Sequence, residues 1–98
     1  MKVHADLCLI PMGAEVSVSK EIALCQTIFE TSGLSHQLHA FGTNIEGEWD
    51  DVMAAVKACH EGVHQLGRVR VTSTLKIGTR TDRMQSLDDK VKSVTDKL

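Results

Sequence analysis

The sequence predicts an α+β fold in which six elements run strand-helix-strand-strand-helix-strand, the split βαβ order, with one short helix added at the end. Three observations carry that expectation. Residues 3–10 and 68–77 alternate apolar and polar side chains, the period of two that a half-buried strand requires. Residues 18–29 and 49–66 repeat apolar positions every three or four residues, as helices with one buried face do. Between those helices, two short alternating segments flank Gly42 and read as an antiparallel strand pair.

In the first strand Val3, Ala5, Leu7 and Leu9 share one face, and His4, Asp6, Cys8 and Ile10 the other. Pro11 and Gly13 are expected to stop it and open the loop PMGAEVSVS. Ser17 or Ser19 is expected to cap the first helix. A capping box is absent, because with Ser17 as cap Lys20 stands where the box needs Glu. Val18, Ile22, Cys25 and Phe29 form its stripe, and Ser32–Gly33 end it. In the strand pair Leu34, His36, Leu38 and Ala40 fall on one side, Gly42 supplies the turn, and the second strand ends at Gly47. Asp50 and Asp51 then occupy the first turn of the second helix, where carboxylates meet the positive end of the dipole. Its apolar positions are Trp49, Val52, Met53, Val56, Cys59, Val63 and Leu66, with Gly67 as terminator.

Val69, Val71, Leu75 and Ile77 of the last strand face inward with Ser73 interrupting, and Arg68, Arg70, Thr72, Thr74 and Lys76 face the other way. Ser86 is a good cap for the terminal helix, whose thin stripe is Leu87, Val91 and Val94. The whole is ferredoxin-like: an antiparallel four-stranded sheet with both longer helices on one face. The other face is left polar, and is a candidate subunit contact.

Ninety-eight residues fit one domain, 1–98, with a core modest enough to make self-association natural. Apolar residues are 42% and charged residues 24% of the chain, and the formal net charge is −2 with Lys and Arg scattered. With no basic run and only three aromatics (Phe29, Phe41, Trp49), no nucleic-acid partner is expected. No stretch approaches a membrane span, and the first residues lack the apolar core and cleavage site of a secretory signal. Cys8, Cys25 and Cys59 are odd in number and widely spaced, which reads as reduced core cysteines in a cytoplasmic protein.

Residues 60–64, HEGVH, match the H-E-x-x-H pattern of zinc hydrolases. Projection on a helix places Val56, His60 and Val63 on one apolar stripe, so His60 turns toward the sheet and His64 sits on the flank. A catalytic zinc needs an open cleft and a third ligand, and nothing in the sequence brings His4, His36 or His39 there. A packed, satisfied His60 is the reading preferred. Cys59 and His60 are adjacent on the helix, so their side chains diverge by about a hundred degrees and form no nucleophile–base pair.

Three segments together resemble the small thiamine-binding protein family: IPMG followed by SVS at a helix start, GTNIEGEWDDVM, and RVRVTSTLKIGTRTD. The similarity covers nearly the whole chain, and GT-x-IEG before an acidic, apolar helix start is its most specific part. The resemblance implies a ferredoxin-like homotetramer, a dimer of dimers. It also implies binding of thiamine or its hydroxymethylpyrimidine half, with no catalytic step and no cofactor.

Residue chemistry suggests where such a ligand would sit. Glu46 can accept from the exocyclic amine of an aminopyrimidine or offset the thiazolium charge. Thr43 and Ile45 share one strand face and Asn44 and Glu46 the other, so these positions need not line one pocket. Ser17 and Ser19 offer hydroxyls at a helix start, with capping as the plain alternative. Trp49 suits stacking on a heteroaromatic ring, although core packing is the preferred reading of its spacing. Arg80, Asp82 and Arg83 are expected in an intersubunit ion pair. The ligand-binding set is therefore Glu46, Thr43, Asn44, Ser17, Ser19 and Trp49. The alternatives are a structural or regulatory homo-oligomer without a ligand and, more remotely, a zinc-dependent hydrolase built on HEGVH.

Overall fold

The alternation of Val3, Ala5, Leu7 and Leu9 makes β1 (Lys2–Met12) the buried centre of a four-stranded antiparallel sheet. The computed structural model describes residues 1–13 and 16–98; Ala14 and Glu15, inside the expected PMGAEVSVS loop, lie outside the described residues. After β1 come α1 (Ser19–Thr31), β2 (Ser35–His39), β3 (Gly42–Glu48), α2 (Trp49–Gln65), β4 (Arg70–Thr79) and α3 (Leu87–Thr95). The sheet order is β2-β3-β1-β4, the ferredoxin-like topology expected from the sequence.

Pro11 does not stop β1. The strand continues to Met12, with Pro11 opposite Val71 and Met12 opposite Arg70. The pairing of β1 with β3 ends at Leu7 opposite Thr43, so beyond that point β1 has a partner on one side only. A one-sided strand is where a sheet tolerates proline's missing N–H. The hairpin turn likewise lies at Ala40–Phe41, and Gly42 is the first residue of β3, paired with His39.

One core lies between the sheet and the two longer helices. It joins Val3, Ala5, Leu7, Leu9 and Ile45 of the sheet to Cys25 and Phe29 of α1 and to Val52, Ala55, Val56, Cys59 and Val63 of α2. Trp49, expected in that core, stands 41% exposed at the first position of α2. Its N–H donates to the Met1 carbonyl at 2.8 Å, so the helix starts beside the first residue of the chain. Ala55 is buried instead, and Met53 and Leu66 are part-exposed.

Neither Ser17 nor Ser19 is the N-cap of α1. That position is Val18, with no side-chain cap bond, and Ser17 Oγ accepts weakly from the Ser19 N–H at 3.4 Å. Helix α1 also buries a carboxylate. Glu21 is 1% exposed and accepts from Arg68 Nε at 2.8 Å, tying the helix to the segment that leads into β4.

The sheet face away from α1 and α2 is polar, as expected, but α3 crosses part of it. The start of α3 is fixed by a capping box: Ser86 Oγ accepts from the Asp89 N–H and Asp89 Oδ2 from the Ser86 N–H, each at 3.0 Å. The Leu87 N–H points at Glu46 Oε2, 3.4 Å away, while Val91 and Val94 remain about 60% exposed. This helix depends on its cap more than on packing. Ser86→Ala is expected to remove about 1 kcal/mol of local stability. Hydrogen exchange should show faster α3 amides with the sheet amides unchanged; an equal acceleration across the sheet would contradict it. Within the chain, Arg80 donates to Asp82 Oδ2 at 2.9 Å and to Gln85 Oε1 at 2.7 Å.

Candidate ligand cavity

A cavity of about 240 Å³ opens between the N-terminal half of α1, the outer end of β1 and the β2–β3 hairpin. Its position follows from the pairing just described. Because β3 leaves β1 at Leu7 and β2 turns back at His39, the sheet is narrow there, and α1 spans a gap that no side chain of the described residues fills. Leu7 and Leu9 form the floor, Val18, Ile22, Cys25 and Phe29 the helix wall, and Leu38 and Thr43 the hairpin side. The lining is largely apolar with few polar groups, which is the usual make-up of a small-molecule site.

The polar feature of the wall is a side-chain pair. Gln26 Nε2 donates to Thr43 Oγ1 at 3.0 Å, and Thr43 is 4% exposed. This leaves the Gln26 carbonyl oxygen as an acceptor and the Thr43 hydroxyl as a donor. Among the described residues, no carboxylate, lysine or arginine lines the cavity. His39 borders it, but both ring nitrogens are engaged: Nε2 lies 2.7 Å from Asp6 Oδ1, and Nδ1 accepts from the Phe41 N–H at 3.3 Å. Cys25, in the helix wall, shares a hydrogen bond with Cys59 behind it; that bond and burial push the Cys59 thiol up, while the same bond lowers Cys25.

The six residues singled out from the sequence fall in three places. Thr43 is in the cavity wall, and Ser17 and Ser19 flank the lining residue Val18 with their hydroxyls 3.1 Å apart. Asn44 and Glu46 project from the opposite face of the sheet, toward α3. Glu46 is mostly covered there: Oε2 lies 3.5 Å from Lys2 Nζ and 3.6 Å from His4 Nε2, and Oε1 lies 3.5 Å from Ser35 Oγ. Trp49 stands apart from both groups, beside Met1, Glu48 and Asp50. The structure does not bring the six together.

Gln26 was not among them, although a signal for it exists. Ile22, Cys25, Gln26 and Phe29 have the spacing of one helix face, so Gln26 stands where an apolar residue is due.

His60 of HEGVH is part-buried, as the periodicity predicted, and His64 lies exposed on the flank of the helix. His60 Nε2 lies 2.7 Å from Ser73 Oγ, which accounts for the serine that interrupts the inner face of β4. His64 Nδ1 lies 2.7 Å from the Arg68 carbonyl oxygen and donates to it. Among the described residues no three His, Cys, Asp or Glu side chains are grouped to hold a metal ion. No helix of the described residues is long and apolar enough to cross a membrane.

Fold and cavity together define a small ferredoxin-like protein with a preformed, largely apolar cavity. The chain belongs to the thiamine-binding protein family, whose profile matches residues 5–95. It is 58% identical over 94 residues to a UPF0045 protein of Synechocystis, covering 96% of this chain and 78% of that one. It is 41% identical over 100 residues to the UPF0045 protein ECM15 of Eremothecium gossypii, covering 99% and 95%. Among solved structures, a hypothetical protein of Methanocaldococcus jannaschii superposes with a TM-score of 0.89 at 34% identity, covering 96% of each chain. A Thermotoga maritima protein, whose name proposes a role in thiamine biosynthesis or salvage, shares the fold with a TM-score of 0.81 at 19% identity, covering 96% and 99%.

Proposed function

We propose that the protein binds thiamine or its hydroxymethylpyrimidine moiety in the cavity without transforming it, and buffers or delivers the vitamin in the cytoplasm. The observation that carries this reading is the apolar cavity of about 240 Å³ with the Gln26–Thr43 pair in its wall, in a chain whose family is named for thiamine binding. That volume suits one substituted six-membered ring. The pyrimidine would lie inside, with Thr43 as a contact, and the thiazolium would extend past Val18 toward Ser17, Ser19 and the exposed ring of Phe41. A binding role is favoured over a catalytic one because His60 and His64 are committed to structural hydrogen bonds.

Titration calorimetry and thermal shift with thiamine and with hydroxymethylpyrimidine test the proposal. At a hundredfold excess over its dissociation constant a ligand adds about 2.7 kcal/mol of stability. No heat and no shift at millimolar ligand would overturn the reading. Glu46→Gln is expected to leave affinity unchanged, because Glu46 and Asn44 face the other side of the sheet. Loss of ligand in a folded Glu46→Gln variant would move the site to the α3 side.

We read the assembly as a homotetramer, a dimer of dimers. Its support is the part of the open sheet face that α3 leaves bare, where Ile10 and Met12 stand 49% and 44% exposed beside Thr72 and Arg70. The same surface favours a second reading, an oligomer whose assembly is its function. Sedimentation velocity on ligand-free and thiamine-saturated protein separates the two: a tetramer with no ligand response supports the second, and a monomer removes the assembly from both.

A further inference from the structure

We infer that the Gln26–Thr43 pair reads the edge of a pyrimidine in either of two hydrogen-bonding senses, so that the cavity accepts 4-oxopyrimidines as well as 4-aminopyrimidines. The inference rests on the reading above, that this cavity holds the pyrimidine ring.

A 4-aminopyrimidine presents a donor, the exocyclic amine, beside an acceptor, the ring nitrogen. Its 4-oxo counterpart presents the reverse, an oxygen acceptor beside a ring N–H donor. In the structure Gln26 Nε2 donates to Thr43 Oγ1, which leaves an acceptor on Gln26 and a donor on Thr43. That order matches the amino edge. Turning the Gln26 amide by half a turn about its last torsion keeps the pair intact, since Thr43 then donates to the Gln26 oxygen. The free groups are now a donor on Gln26 and an acceptor on Thr43, which matches the oxo edge. The terminal torsion of glutamine is broad and nearly two-fold, so both settings are available to it.

A charged side chain beside the pair would favour one setting, and among the described residues the lining supplies none, neither carboxylate nor lysine nor arginine. The ring nitrogens of His39 are held by Asp6 and the Phe41 N–H. The polarity of the site is therefore set by the ligand.

The test is calorimetric titration of the wild-type protein with 4-amino-5-hydroxymethyl-2-methylpyrimidine and with its 4-oxo analogue, at a pH where both rings are neutral. Affinities within a few-fold of each other are expected. Gln26→Glu fixes that side as an acceptor: its carboxylate takes the amine and repels the oxo oxygen. The variant should lose oxo binding by roughly ten- to a hundredfold more than amino binding. Gln26→Met, which fills the space without hydrogen bonds, should weaken both ligands alike. Wild-type preference for the amino ring by more than about tenfold overturns the inference and leaves the binding site standing, and so does a Gln26→Glu variant that treats the two rings alike. Failure of both rings to bind wild-type protein overturns the cavity reading itself. The wild-type comparison is decisive even if a substituted protein fails to fold.

Discussion

Replacing Arg68 by alanine is expected to destabilise the protein far more than replacing its partner Glu21 by glutamine. The asymmetry follows from burial. The Glu21 side chain is 2% exposed while that of Arg68 is 24% exposed, and the bond between them is 2.8 Å long. Removing the guanidinium strands a carboxylate under α1 without its hydrogen-bonded partner, the most damaging way to break a buried pair. Removing the carboxylate's charge leaves an arginine that still reaches water and a glutamine oxygen that can still accept from it. The Arg68→Ala loss should be on the order of ten degrees or more in Tm. A second change, Glu21→Leu in the Arg68→Ala background, should recover part of it, because the stranded charge is then gone.

The pH profile gives an independent check. The hydrogen bond from Arg68 holds the Glu21 carboxyl below the usual glutamate range, aided by its own backbone N–H, against a smaller upward push from burial. A carboxylate whose folded pKa is depressed contributes stability that is full above the unfolded value and is lost as the pH falls through the folded one. Wild-type stability should therefore fall on acidification below the ordinary glutamate range. The gap between wild type and Arg68→Ala should be widest at neutral pH and close in acid, where a protonated Glu21 needs no cation. A gap independent of pH would mean that Arg68 acts by packing alone.

Glu21 also shows where sequence reading stops. Its partner is 47 positions away, and a charged residue on a helix reads as solvent-facing until the fold is known. The core strand was legible because Val3, Ala5, Leu7 and Leu9 need only their own alternation to be placed. The termination at Pro11 was not, because a proline's penalty depends on whether a neighbouring strand is present to want its N–H. Trp49 misled for a related reason: helical spacing gives the face of a residue but not whether the sheet extends beneath it. At the candidate site the alternation separated Thr43 from Asn44 and Glu46 correctly, since strand parity is local. The partner of Thr43 was not local. Gln26 lies 17 residues away across the gap between helix and hairpin, and only the anomaly of an amide on an apolar stripe pointed to it.

Gly42→Ala should be more damaging than a change at any positive-φ glycine, and for want of space rather than backbone strain. The positive-φ glycines are Gly13, Gly33 and Gly67, and a Cβ on any of them meets nothing within 4 Å. Gly42 is not among them. A Cβ there would lie 2.7 Å from the Leu7 carbonyl oxygen and 2.9 Å from Asp6 Oδ1. The second contact exists because Asp6 on β1 and His39 on β2 reach toward each other across β3, 2.7 Å apart, where Gly42 offers no side chain. A carboxylate can swing away, but the Leu7 carbonyl belongs to the central strand and cannot. The start of β3 must then move off β1, carrying Thr43 out of the cavity wall. Overpacking of this kind costs about 1–3 kcal/mol, and each kcal/mol lowers Tm by about 4–8 °C in a chain of this size. Asp6→Ala in the Gly42→Ala background should restore only a minor part, because it clears the side chain and leaves the carbonyl. Differential scanning calorimetry on the single and double variants decides the matter. Full rescue by Asp6→Ala would assign the crowding to the side-chain bridge, and an unchanged melting temperature in Gly42→Ala would show that β3 has room to spare.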